Sequence, residues 1–256
     1  MSAVLDATGI SVSFGGVHAV VDVDLQVGEG QLVGLIGPNG AGKTTFIDAI
    51  SGFVRCRGRV ELDGRDLSGS APHVRARMGL ARTWQSIELF DDLSVRENLV
   101  VASHRPSLRS TVWEVVTRPV AHTTAADAAL ELLGLELLAD AMPSELSQAH
   151  RKLVGVARAL AAEPRLICLD EPAAGLDTAE STELAARLRQ VVDAGTSMLL
   201  VDHDMGLVLG ISDHVVVLEF GNVIASGAPD VVRRDARVIE AYLGSAAAGR
   251  EAIEAS

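Results

Sequence analysis

Through Val21-Asp22-Val23-Asp24-Leu25-Gln26-Val27 apolar and polar residues alternate one for one. That is the period of an antiparallel strand with one face buried and the other in water. The same alternation runs more loosely across residues 1–30 and predicts sheet there, its aspartates solvated rather than ligating a metal. Gly28-Glu29-Gly30 turns the chain into the apolar run Leu32-Val33-Gly34-Leu35-Ile36, which has the length of a buried strand. After Lys43 the period becomes helical, with Phe46, Ile47 and Ile50 on one face. Gly58-Arg59-Val60-Glu61-Leu62 followed by Asp63-Gly64 reads as a short strand and turn.

From about Ile87 to Glu145 helical patterns dominate, as in Val95–Ala102 and Ala125–Leu133, around the polar stretch Ser103–Ser110. This predicts a helical insertion, about 87–160 once the following helix is included, projecting from an α/β body. Strands and helices then alternate: Leu166–Leu169, a helix over Ala179–Val192, and Ser197–Val201. Such alternation implies parallel βαβ units. Val215–Glu219 and Asn222–Ala225, joined at Phe220-Gly221, read as a hairpin. The expected division is one domain over 1–244 and a frayed, disordered, Ala-rich tail over 245–256.

Composition narrows the options. A chain of 256 residues, 48% hydrophobic and 22% charged, is ordinary for a soluble globular protein. A net charge of −12 argues against a general nucleic-acid binder. Lys43 and Lys152 are the only lysines. Cys56 and Cys168 match no metal spacing, and Cys168 in its apolar run reads as a buried small residue. No run of about 18 apolar residues and no leader pattern is present. The expectation is a soluble, cytoplasmic chain whose membrane role, if any, passes through a partner.

Gly37-Pro38-Asn39-Gly40-Ala41-Gly42-Lys43-Thr44-Thr45 satisfies G-x-x-x-x-G-K-S/T between the predicted strand and helix. Glycines let successive N–H groups turn inward toward phosphate oxygens, and the helix brings its positive end to the same anion. Lys43 can reach the β- and γ-phosphates and the Thr44 hydroxyl can ligate Mg²⁺. The chain is therefore expected to bind a nucleoside triphosphate. Leu166-Ile167-Cys168-Leu169-Asp170-Glu171 is a second apolar strand, ending in two adjacent carboxylates. Ligands of parallel sheets bind beyond the carboxyl ends of the strands. One carboxylate can hold Mg²⁺ and the other can orient or polarise water for in-line attack.

With these residues in this order the chain resembles the ATP-binding subunits of ABC transporters over nearly its whole length. The resemblance implies an α/β fold: a P-loop NTPase core, an antiparallel β subdomain and a helical insertion. It implies a Mg-dependent ATPase with Glu171 as catalytic carboxylate and Asp170 and Thr44 serving Mg²⁺. In Arg82-Thr83-Trp84-Gln85, Gln85 corresponds to the glutamine that senses Mg²⁺ and the attacking water. Ala174-Gly175-Leu176-Asp177 matches the loop that crosses to a partner subunit, and His203 the histidine that contacts the γ-phosphate. Phe14 stands where the family sets an aromatic ring against adenine. Ala81–Phe90, Asp202–Asp213 and the ending Val238–Gly244 resemble the branched-chain amino-acid uptake group. That implies an importer in which the helical insertion docks integral membrane permease subunits, holding the chain at the inner face of the membrane.

One motif departs. The family signature, usually L-S-G-G-Q, reads Leu146-Ser147-Gln148-Ala149-His150 here. Ser147 can cap the following helix, but both glycines are gone. In the family this segment covers the γ-phosphate of the other subunit, so Ser147 and Ala149 are expected at a nucleotide in trans. The expectation is a dimer, hetero-dimeric with a second ABC ATPase rather than homo-dimeric, with one weakened site. The alternatives are an exporter ATPase, a non-transport ABC ATPase, or a regulatory ATP-binding module with little turnover. Trp113 and its apolar neighbours either touch a permease or, as the default, fill the local core.

Overall fold

The computed structural model describes residues 3–83, 88–103 and 124–243. Gln85, Trp113 and the predicted tail lie outside the described residues.

Strands β1 (Ala3–Phe14), β2 (Val17–Gly28), β4 (Arg57–Leu62) and β5 (Arg65–Asp66) form an antiparallel sheet in the order β2-β1-β4-β5. The alternation predicted for β2 holds from Val23 to Val27 but breaks at Val21, which is exposed. Asp22 is the cause. It takes φ 50, and its N–H bonds the Ser11 hydroxyl at 2.9 Å, which shifts the register and puts Val20 inside instead. Asp22 and Asp24 face water, and Asp24 accepts the Gly9 N–H at 2.7 Å.

The second sheet runs β10-β9-β3-β8-β7-β6: β3 (Leu32–Ile36), β6 (Leu80–Arg82), β7 (Leu166–Asp170), β8 (Ser197–Val201), β9 (His214–Glu219) and β10 (Asn222–Gly227). Its pairs are parallel except β9–β10, the predicted hairpin. The central strands are buried on both faces, and alternate residues enter different cores. Leu32, Ile36, Ile167, Leu169, Met198 and Leu200 pack toward the helices, while Val33, Leu35, Leu166, Cys168, Leu199 and Val201 pack toward the antiparallel sheet and α1 (Lys43–Ser51). Burial pushes the Cys168 thiol up to about 12, as suits an inert core residue.

Short elements that the pattern does not announce complete the body: α2 (Pro72–Arg77), β5 and β6. Between β6 and β7 the described chain has α3 (Val95–Ser103), α4 (Thr124–Leu133), two 3-10 turns and α5 (Gln148–Ala161). α5 packs on α3 and α4 through its strongly one-sided apolar face. After β7 come α6 (Thr178–Asp193), β8, α7 (Met205–Ile211), the β9–β10 hairpin, α8 (Pro229–Val232) and a helical stretch over 236–243.

Candidate active site

Parallel strands end at one edge of a sheet, and here β3, β7 and β8 deliver the predicted chemistry to that edge. β3 runs into residues 37–42, and α1 starts at Lys43 behind Gly42 (φ 102), which caps it without a side-chain bond. The first N–H groups of α1 have no acceptor within the helix. Lys43 is buried, and its ammonium donates to the carbonyls of Gly37 at 2.6 Å and Pro38 at 3.1 Å. Burial lowers its pKa, while Glu171, Asp170 and Asp202 oppose that shift. The charges of loop and acids therefore share one electrostatic neighbourhood. Asn39, Gly40 and Thr44 are exposed at the rim, while Ala41 and Thr45 lie further in.

The antiparallel sheet is locked onto this loop by one carbonyl. A Cβ on Gly42 would stand 2.3 Å from the Ala19 oxygen, and one on Gly221 2.8 Å from the same oxygen. The two glycines thus admit the β1–β2 hairpin between the phosphate loop and the β9–β10 turn. Val21 N–H to Gly221 O at 2.8 Å and Gly221 N–H to Ala41 O at 3.0 Å complete the joint. Phe14, on the docked hairpin, keeps its ring about half exposed at 52%.

Asp170 ends β7 with a nearly buried carboxylate. One oxygen receives the Arg82 guanidinium at 3.1 Å, while the other is buried with no hydrogen-bond partner. Arg82 also pairs with Asp48 of α1 at 2.5 Å. Burial raises the Asp170 pKa, against the pull of Arg82. Glu171 follows in left-handed conformation at φ 48, its N–H held by the Val201 carbonyl at 2.7 Å. A non-glycine residue in that region is uncommon, and here it turns the carboxylate toward His203. The His203 Nδ1 lies 3.9 Å from the Glu171 Oε1.

Asp202 is the residue that the sequence reading passed over. It is buried, its Oδ1 accepts the N–H groups of His203 at 2.7 Å and Asp204 at 3.0 Å, and its Oδ2 accepts that of Ala173 at 3.4 Å. It therefore ties the histidine turn to the loop after Glu171. Its only sequence signal is its place between a strand and His203. Asp177, assigned by resemblance to the crossing loop, caps α6 in a reciprocal box with Glu180.

Ser147 caps α5 as expected, accepting the His150 N–H at 3.2 Å, and its hydroxyl also meets the His150 Nδ1 at 3.0 Å. Neither Ser147 nor Ala149 bonds the phosphate loop among the described residues. The turn faces its own chain instead: a Cβ on Gly175 would stand 2.6 Å from the Gln148 Nε2. Gln148, Ala149 and His150 are in ordinary right-handed helix. Their backbone form therefore does not require glycine.

A broad groove of about 740 Å³ lies beside the acids and not over the phosphate loop. Arg82, Phe90, Val101, Lys152, Arg158 and Pro172 are among the residues lining it.

Comparison with known proteins agrees with this geometry. The chain matches the ABC transporter family over residues 20–174 and the branched-chain amino acid ATP-binding cassette transporter family over 222–248. It is 37% identical over 251 residues to the high-affinity branched-chain amino acid transport ATP-binding protein BraF of Pseudomonas aeruginosa, covering 95% of this chain and 98% of that protein. It is 39% identical over 252 residues to the corresponding protein LivG of Escherichia coli, covering 94% and 98%. A nucleotide-free ATP-binding cassette from an ABC transporter superimposes with TM-score 0.80 at 29% identity, covering 94% of this chain and 99% of that one. An ABC-transporter cassette in its ADP conformation gives TM-score 0.81 at 30% identity, covering 95% and 100%. A phosphate loop answered by paired acids and a histidine across one sheet edge, in a chain so closely related to these proteins, belongs to the ABC transporter family of nucleotide-binding ATPases, in its branched-chain amino acid transport group.

Proposed function

We propose that this chain binds Mg·ATP at residues 37–45 and hydrolyses it to energise uptake of branched-chain or related amino acids through membrane permease subunits. The observation that carries the reading is the meeting of Lys43, Asp170, Glu171 and His203 at the carboxyl edge of β3, β7 and β8. The names of BraF and LivG supply the class of solute. The fit to Mg²⁺ rests on Asp170, whose second oxygen is a buried acceptor without a protein partner. A hydrated cation bound there would give that oxygen a partner. Mg²⁺ is commonly held by one or two carboxylates together with substrate phosphates.

In this reading the N–H groups of 40–45 and the Lys43 ammonium hold the phosphates, and Lys43 gives up the Gly37 and Pro38 carbonyls to do so. Thr44 and Asp170 serve Mg²⁺, Phe14 stacks on the base, and Gln85 reports on metal and water. Glu171 orients and polarises the attacking water, and His203 supports the γ-phosphate. No helix among the described residues is long and apolar enough to cross a membrane. In this reading permease partners hold the chain at the inner face of the membrane. The chain pairs with a second, distinct ABC ATPase. Its own loop and acids complete the working site, while Leu146–His150 face the weaker one.

Tagged Glu171→Gln protein, purified from native membranes with Mg·ATP, tests this. The variant retains ATP and turns over at least about tenfold more slowly, and it brings a multi-span permease and a second ATPase with it. Near-normal hydrolysis removes Glu171 from its role, and self-association without a membrane protein overturns the importer.

A further inference from the structure

Arg82, the last residue of β6, is assigned no part in the chemistry above, yet its guanidinium reaches two elements of the site. Its Nη2 donates to the Asp170 Oδ2 at 3.1 Å, at the end of β7, and its Nη1 to the Asp48 Oδ1 at 2.5 Å, on α1. The arginine side chain is only 5% exposed, against 3% for that of Asp170 and 26% for that of Asp48. The guanidinium also lies over the ring of Phe53, just past the end of α1, at 5.7 Å from its centroid. Two carboxylates and an aromatic face hold the planar fork in one orientation.

The elements joined in this way are those that carry the two groups assigned to Mg²⁺. Asp170 ends β7, and Thr44 opens α1. Thr44 stands one turn before Asp48, so the two share a face of the helix. Arg82 therefore ties the phosphate-loop helix to the acidic strand one turn away from the Thr44 hydroxyl. No other ion pair among the described residues joins α1 to β7. The same contact sets how the Asp170 carboxylate is turned. With Oδ2 on the arginine, Oδ1 is left as the buried oxygen without a hydrogen-bond partner. A lysine in place of Arg82 keeps the charge but not the fork, because one ammonium on a flexible stem has no two fixed arms.

We propose that Arg82 is a positioning residue for the Mg²⁺ site: by holding Asp48 and Asp170 in one fork it sets the spacing of Thr44 and Asp170 and turns the Asp170 Oδ1 toward the cation. The inference rests on the reading of Thr44 and Asp170 as the residues that serve Mg²⁺. Groups behind metal ligands fix their orientation, and losing one commonly lowers metal affinity about 10- to 100-fold. In that reading the phosphates themselves are held by Lys43 and the loop N–H groups. The effect of Arg82 is thus confined to the share of nucleotide binding that the metal supplies.

Affinity of the full-length chain for a non-hydrolysable ATP analogue, measured in Mg²⁺ and again in EDTA, isolates that share. In Arg82→Lys the gain from Mg²⁺ is expected to fall about tenfold, with metal-free affinity within about twofold of the parent. Asp48→Ala removes the far anchor at a partly exposed position and is expected to lower the gain about threefold. In the double variant the two losses do not multiply, because both break one fork. Where Arg82→Lys fails to fold, Asp48→Ala carries the test. An unchanged Mg²⁺ gain in either folded variant overturns the proposal. So does an equal loss with and without the metal, which is what a purely structural arginine predicts. If Mg²⁺ adds nothing to affinity in the parent, the Mg²⁺ reading of Thr44 and Asp170 itself fails and takes the inference with it.

Discussion

Asp170 holds a charge that its surroundings only half compensate. One oxygen has Arg82 and the other has no protein donor, and burial outweighs the guanidinium so that the pKa is raised. A carboxyl whose folded pKa exceeds its unfolded 3.8 contributes stability below that value and loses it as pH rises through the folded pKa. At neutral pH the ionised side chain is therefore a cost to the fold. Asp170→Asn keeps an acceptor for Arg82 and removes the buried charge. The nucleotide-free variant is expected to melt about 2–4 °C higher, and the further stabilisation by Mg·ATP should shrink sharply. A lower melting temperature would mean that the Arg82 pair outweighs burial. At this scale the sequence was informative wherever chemistry needs a fixed spacing. Lys43, Asp170 and Glu171 were legible as candidates because motif and strand end coincide, whereas His203 came only from the family resemblance. Asp202 was not, since a buried acceptor of three N–H groups is defined by the turns folded around it.

Elements with long apolar periods were readable too, as in α6, where Leu184, Leu188, Val191 and Val192 share a face. The elements missed are short or interrupted. β6 has three residues, α2 starts at a proline, and α7 contains Gly206 and Gly210, so none shows a sustained period. How elements join was hidden as well. The Phe220-Gly221 turn was expected from the hairpin pattern, but its role as half of the slot for the Ala19 carbonyl depends on a contact between distant segments. Gly221→Ala tests that joint. At φ 79 an alanine is strained, and its Cβ would press on the Ala19 oxygen at 2.8 Å. Stability in urea is expected to fall by about 1–3 kcal/mol, with weaker Mg·ATP binding as the hairpin carrying Phe14 loosens from the phosphate loop. Unchanged affinity in a destabilised variant would separate the joint from the nucleotide site.

At the scale of the whole molecule the proposed pairing with a second ATPase turns on the altered signature. Three side chains of Leu146–His150 turn toward their own chain. The Ser147 hydroxyl meets His150, the Gln148 amide lies against Gly175, and Leu146 is in the core. What remains for a nucleotide in trans is the first turn of α5, where the N–H groups of Gln148 and Ala149 have no acceptor within the helix. Those donors favour an anion, but they now carry side chains where the family pattern has glycine, and the Ser147 hydroxyl is engaged by a ring. Loss of one preorganised donor at a transition state costs about 10²–10³-fold in rate. Retention of the backbone N–H groups makes the loss here smaller than that. In a complex with a second ATPase, replacing Gln148 and Ala149 by glycine together is therefore expected to raise turnover at least about twofold, by waking the site at which this signature acts. The substitution leaves Lys43, Asp170, Glu171 and His203 untouched, so the site they form serves as the internal reference. No rise in the assembled complex would mean that the altered signature already works. High turnover by a homodimer of this chain alone would remove the asymmetry altogether, because both sites of such a dimer must use Leu146–His150.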